Sequence, residues 1–159
     1  MESMEIDEYY KSYEDLGVHK LMLQDMPRNK AYRESINDNK EIFKDKVVLD
    51  VGAGTGFLSV LCAQAGARTV YAVEASNMYT VAEELAKENK FSAVIKVLNG
   101  RVEDIALPEK VDIIVSEWMG FYLLHEAMLN SVIEARNRFL KPDGLLFPES
   151  ATLYSAPCR

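Results

Sequence analysis

Short apolar runs separated by longer amphipathic stretches make up most of this chain. Val47-Val48-Leu49, Thr69 to Val73, Ile95 to Leu98, Val111 to Val115 and Leu145 to Phe147 are compact and largely β-branched, the form of strands buried on both faces. Between them, Phe57 to Ala65, Asn77 to Asn89 and Ala127 to Phe139 read as helices, with Ser76 or Asn77 capping the second. Lys141-Pro142-Asp143-Gly144 reads as a turn. Ahead of Lys46 the pattern is helical with polar breaks. Leu16, His19 and Leu23 share a face of one predicted helix, Pro27 ends it or opens the next, and Ala31 to Ile42 is helical again, broken around Asn37–Asn39. Strands alternating with helices predict an α/β fold of right-handed βαβ units around a doubly wound, mainly parallel sheet.

Ligands of such sheets bind beyond the carboxyl ends of the strands. The polar residues that interrupt the apolar pattern fall there: Asp50, Glu74, Glu103 and Glu117. Asp50-Val51-Gly52-Ala53-Gly54-Thr55-Gly56 follows a predicted strand and opens a helix. Glycines suit a tight turn that a ligand approaches without a Cβ in the way. Glu74, at the end of the next strand, is placed to accept hydrogen bonds from both hydroxyls of a ribose. A bare βα turn explains the glycines less well, because it leaves the distal acid without a role. Dinucleotide binding is the stronger rival. Its fingerprint wants a glycine where Phe57 stands, and it leaves the helix N-terminus to a pyrophosphate. An acid before the turn, Asp50, repels a pyrophosphate and suits an ammonium, which favours S-adenosylmethionine over a nicotinamide dinucleotide.

The segment Ser116-Glu117-Trp118-Met119-Gly120-Phe121-Tyr122-Leu123-Leu124-His125-Glu126 adds a second acid to the same loop. A turn at Gly120 can bring Glu126 back near Glu117. Two close carboxylates repel unless a cation lies between them, and a guanidinium satisfies both by paired hydrogen bonds. Glu126 alone could also be a helix-start acid.

Composition bounds the reading without deciding it. The 159 residues suffice for one domain with a substantial core, and no apolar run is long enough for a membrane span. A formal net charge of −7 disfavours nucleic acid and suits cationic partners. Cys62 and Cys158 have no metal or disulfide spacing, and Cys62 reads as a small buried hydrophobe. No metal is expected.

Together, Val48 to Gly56, Val73-Glu74 and Ser116 to Gly120 resemble the motifs of the protein arginine methyltransferases. Tyr9-Tyr10-Lys11-Ser12-Tyr13 resembles that family's aromatic N-terminal helix, with Tyr10 departing from the usual Phe, and His19 to Asp25 and Tyr32-Arg33 match the segments that follow it. The resemblance runs from about Glu8 to Pro157. It is nearest the asymmetric-dimethylating, mainly nuclear branch typified by protein arginine methyltransferase six. It implies a Rossmann-like class I methyltransferase fold: a helical segment over residues 1–45, a cofactor-binding unit over 46–150, and over 151–159 the start of a β-barrel domain, with Ala151 to Ala156 as its first strand. The rest of that domain, with a His-bearing loop and a dimerising arm, is absent from the sequence.

The resemblance also implies roles. Arg33 pairs with the cofactor's carboxylate, Asp50 and Gly52 hold its amino-acid portion, Gly54 belongs to the same cofactor site, Glu74 binds the ribose and Glu103 the adenine. His19 and Met22 flank the cofactor, although by their helical spacing alone they read as core residues. Tyr13 and Met119 line the substrate pocket, and Glu117 and Glu126 are the catalytic pair that clamps the arginine. The implied activity is methyl transfer from S-adenosylmethionine, leaving S-adenosylhomocysteine, to arginines of proteins such as histone tails or Arg/Gly-rich segments. Nuclear localisation, with the cytoplasm second, and a homodimeric full-length enzyme are part of the same expectation. No nucleic-acid or membrane partner is expected. The chain by itself is expected to bind cofactor and to turn over weakly or not at all. A methyltransferase of another substrate, or a cofactor-binding module without activity, are the alternatives.

Overall fold

The computed structural model describes residues 16–123 and 128–157. Five strands, β1 (Val47–Val51), β2 (Thr69–Glu74), β3 (Ile95–Asn99), β4 (Val111–Val115) and β5 (Leu140–Phe147), form one sheet in the order β3-β2-β1-β4-β5. Every pairing is parallel. The chain winds outward from β1 through β2 to β3, then returns to place β4 on the other side of β1. This reversal opens a crevice above the carboxyl end of β1, the position at which doubly wound sheets take their ligands.

All five residues of β1 are buried, which is why its apolar run does not alternate with polar residues. Successive side chains serve opposite cores. Val48, Val70, Ala72, Ile95 and Val115 point into one core, covered by α4 (Phe57–Gln64) and α5 (Tyr79–Glu88) and by Ile36 and Phe43 from the helices ahead of the sheet. Val47, Leu49, Val51, Tyr71 and Val73 point into the other, covered by α6 (Met128–Phe139) with Trp118 and Val102. Cys62 is buried in the first core, and burial pushes its thiol pKa well up, so it packs as a hydrophobe.

Three helices precede the sheet: α1 (Leu16–Gln24), α2 (Met26–Asp38) and α3 (Lys40–Phe43). Pro27 lies in the first turn of α2, where its missing N–H costs nothing, and the Asp25 side chain accepts from the Arg28 amide at 3.1 Å to cap that helix. The predicted break falls at Asn39, between α2 and α3.

Two expectations near the C-terminus need correction. β5 begins at Leu140, ahead of the predicted turn, because that turn is held inside a bulge. Val111 pairs with Leu140, yet Ile113 pairs with Leu145. Lys141 at the bulge donates to Asp112 at 2.7 Å, and the other Asp112 oxygen accepts from the Val47 amide at 2.9 Å. Gly144 is needed there, since a Cβ would come within 2.5 Å of Leu140 and 3.0 Å of the Asp112 carbonyl. The second correction concerns Ala151 to Ala156, which form no strand and are exposed. A strand needs an edge to pair with, and among the described residues β5 pairs only with β4.

Candidate active site

The crevice above β1 holds a cavity of about 540 Å³, within the usual size of small-molecule sites. Its floor is the glycine turn. Gly54 has φ +54, and a Cβ there would lie 3.2 Å from the His19 ring. A side chain would therefore both strain the backbone and crowd the space that a ligand needs. Glu74 is buried at the end of β2, with one oxygen accepting from the Gly54 amide at 2.7 Å and the other from the Ser76 amide at 2.8 Å. Backbone donors thus fix the carboxylate against the floor. His19 is buried over this turn, and Met22 lines the cavity one turn further along α1.

Arg28 reaches in from α2. Its guanidinium donates to Glu117 at 3.0 Å and to the Met22 carbonyl at 2.8 Å. Beside it, Asn29 donates to the Met22 and Leu23 carbonyls at 3.2 and 2.8 Å, so two side chains satisfy carbonyls at the end of α1. One turn further on, the Tyr32 hydroxyl donates to the Ser116 carbonyl at 3.0 Å. Burial, and after it the nearby Glu117 carboxylate, raises the pKa of that hydroxyl, which keeps its proton. These contacts seat α1 and α2 against the strand ends.

Of the residues singled out in the sequence, His19, Met22, Gly52, Gly54, Glu74, Glu117 and Met119 line the cavity. Tyr13 and Glu126 lie outside the described residues. Arg33 does not reach the site and is exposed on α2. Arg28, Tyr32 and Ile36 recur every four residues along the inward stripe of that helix, and Arg33 sits about 100° around from Tyr32. The cavity's arginine is Arg28. A charge at the first turn of a Pro-initiated helix was the available signal.

Asp50 also differs from expectation: it is fully buried and does not line the cavity. Ser59 donates to one of its oxygens at 2.6 Å, and the other has no hydrogen-bond partner among the described residues. Burial raises its pKa to about 7, Ser59 opposes the shift, and the Glu74 charge adds to it. Glu103 stands behind the wall, accepting from Ser131 at 2.6 Å, while Val102 and Ser131 themselves face the cavity.

The donor set suits an amino-acid-bearing nucleoside: an acid anchored at the β2 end, an arginine at the mouth and a floor without side chains. The profile of a family described as methyltransferase domain matches residues 48–144. The chain belongs to that family. Within it, this methyltransferase domain is 53% identical over 149 residues to probable protein arginine N-methyltransferase 6 of Arabidopsis thaliana, covering 94% of this chain and 34% of that protein. Among solved structures, Arabidopsis thaliana protein arginine methyltransferase 10 superposes with a TM-score of 0.86 at 51% identity, over 87% of this chain and 40% of that one. The Trypanosoma brucei PRMT1 enzyme–prozyme heterotetramer with AdoHcy gives 0.85 at 51% identity, over 86% and 43%. The chain thus spans about a third to two fifths of the length of the proteins it matches.

Proposed function

We propose that this domain binds S-adenosylmethionine and serves methyl transfer to arginine side chains of proteins. Glu117 supports the substrate class most directly. It is a partly buried carboxylate at a strand end in the cavity, and it already accepts a hydrogen bond from a guanidinium, that of Arg28. The similarity to arginine methyltransferases points the same way.

The cofactor supplies an electrophilic methyl group on a sulfonium. Glu74 would hold its ribose and the Gly52–Gly54 backbone would lie under its amino-acid portion. Arg28 is the cation placed to meet its carboxylate, in place of the expected Arg33. A guanidinium nitrogen is a poor nucleophile while its lone pair is delocalised. Glu117 draws positive charge toward the nitrogen it binds, leaving another nitrogen better able to attack, and it fixes the direction of approach. In the transfer the methyl carbon would exchange its bond to sulfur for one to the attacking nitrogen, leaving the thioether S-adenosylhomocysteine, and that nitrogen would shed one proton, which a carboxylate of the Glu117–Glu126 pair is suited to take. Histone tails and Arg/Gly-rich segments fit the net charge of −7 as cationic substrates, and a nuclear location and a dimeric whole enzyme belong to the same reading. The chain alone, spanning about a third of such an enzyme, is proposed to bind cofactor with little turnover.

The substrate class is tested by equilibrium binding of an Arg/Gly peptide to this chain with S-adenosylhomocysteine present. A Lys-for-Arg peptide is expected to bind at least about tenfold more weakly, because a lysine cannot make paired bonds to a carboxylate. Glu117→Gln should erase the difference. Equal binding of both peptides to the unaltered chain would reject the arginine reading.

A further inference from the structure

Ser116 is the last residue before Glu117, and three elements hold it. The β1–β4 ladder ends where Asp50 pairs with Val115. One residue further on, the buried Ser116 hydroxyl donates to the Val51 carbonyl at 2.8 Å, so a side chain continues the join after the backbone pairing has stopped. The Ser116 amide donates to the Phe147 carbonyl of β5 at 3.0 Å. Its carbonyl accepts from the Tyr32 hydroxyl of α2 at 3.0 Å. Hydroxyl, amide and carbonyl are thus held by β1, β5 and α2 in turn.

The third contact comes from outside the sheet. Tyr32 packs its ring against the core under α4, and a tyrosine placed there needs a partner for its hydroxyl. That partner is the carbonyl of the peptide plane that leads into Glu117. A peptide unit is planar, so a bond that fixes the Ser116 carbonyl also fixes the direction in which the chain enters Glu117. The same hydroxyl lies 3.9 Å from the Met119 sulfur, and Tyr32, Glu117 and Met119 all line the cavity. Arg28, one turn earlier on α2, donates to the Glu117 carboxylate at 3.0 Å. Helix α2 therefore grips the strand end twice, at the carboxylate and at the backbone behind it.

Paired hydrogen bonds from a guanidinium demand a carboxylate fixed in plane and direction. An ammonium, a compact charge with rotatable donors, makes no such demand. We propose that Tyr32 and Ser116 are positioning residues for arginine selectivity. Together they hold the Ser116–Glu117 backbone so that the Glu117 carboxylate meets a guanidinium in the orientation that paired bonds need. The inference rests on the arginine reading above, and both residues act through Glu117 rather than on the substrate.

The test titrates the Arg/Gly peptide and its Lys-for-Arg counterpart, at saturating S-adenosylhomocysteine, into the unaltered chain, Tyr32→Phe and Ser116→Ala. The unaltered chain is expected to prefer the arginine peptide at least about tenfold. Tyr32→Phe removes one oxygen and leaves the ring in the core. Its preference should fall to about twofold, since one net hydrogen bond is worth roughly a factor of five. Ser116→Ala should move the ratio the same way. It also leaves the buried Val51 carbonyl without its donor, so if that variant does not fold, Tyr32→Phe decides. A purely structural role would weaken both peptides alike and leave the ratio intact. A folded variant of either kind that keeps the tenfold preference therefore overturns this proposal alone. Equal binding of both peptides to the unaltered chain overturns the arginine reading, and this proposal with it.

Discussion

The two walls of the cavity are held in different ways. The wall made by the ends of β1 and β2 is continuous with the sheet. Glu74 is anchored there by two backbone amides, and the strand residues beneath it are buried. The wall made by α1 and α2 rests on a few long side chains. Arg28, Asn29 and Tyr32 span from helix to helix or from helix to strand end, while Leu21 and Met26 on the same helices are 69% and 68% exposed. Across the mouth, Phe121 and Tyr122 are also exposed, and Tyr122 and Leu123 have left-handed backbone, φ 53 and 63, a conformation that costs non-glycine residues about 1 kcal/mol or more each. The contrast teaches that the sheet wall is built by burial and the helical wall by individual polar bridges. Damage to the buried strands should appear as lost stability, and damage to the bridges as lost ligand affinity in a folded protein.

The largest expected effect is on the sheet. Leu49 is fully buried at the centre of β1, between Tyr71 and Ile114. Leu49→Ala should cost about 2–5 kcal/mol of unfolding free energy by chemical denaturation, from lost burial and the cavity left behind.

A second test uses pH. The Asp50 pKa is raised from 3.8 to about 7, so between those values the folded chain holds a proton that the unfolded chain has lost. The Asp50 contribution to stability is therefore intact below the unfolded value, falls as pH rises through that window, and levels off above it. Asp50→Asn removes the titration. The stability of the variant relative to the parent should rise from pH 4.5 to pH 8, by a few kcal/mol at most, and thermal melts at both pH values would measure it. A flat difference would place the Asp50 ionisation in the ordinary carboxylate range.

The smallest effect on stability is expected on the helical wall. Arg28→Ala removes the bridge to Glu117 and the Met22 carbonyl, yet both partners of the ion pair are about a quarter exposed, so about 1 kcal/mol is expected. Affinity for S-adenosylhomocysteine should fall far more, by roughly tenfold or beyond, and Arg28→Lys should not restore it. A variant that loses several kcal/mol while keeping its affinity would erase the contrast between the walls.

The same contrast governs what was legible in the sequence. The sheet was readable because β1, β2 and β4 are buried on both faces and leave compact, mostly apolar runs. Gly52, Gly54 and Glu74 were readable because a turn and a strand end are local features. Arg28 was not, since which face of α2 meets the crevice depends on where Ile36 and Tyr32 pack, a tertiary matter. Asp50 misled for a related reason: its position at the strand end is local, but it shares the face of Val48, which packs into the core under α4, and there Ser59 meets it. The bulge that holds Lys141 to Gly144 inside β5 depends on Asp112, which no local pattern links to it.

The central claim is that the β1–β2 wall holds an S-adenosyl cofactor through Glu74. The direct measurement is a calorimetric titration of this chain with S-adenosylhomocysteine, repeated with Glu74→Ala and with NAD. Saturable binding is expected, weakened about 100-fold or more when the two-oxygen anchor is lost, and none with NAD. A folded chain that fails to bind, or a Glu74→Ala variant that binds as well as the parent, would contradict it.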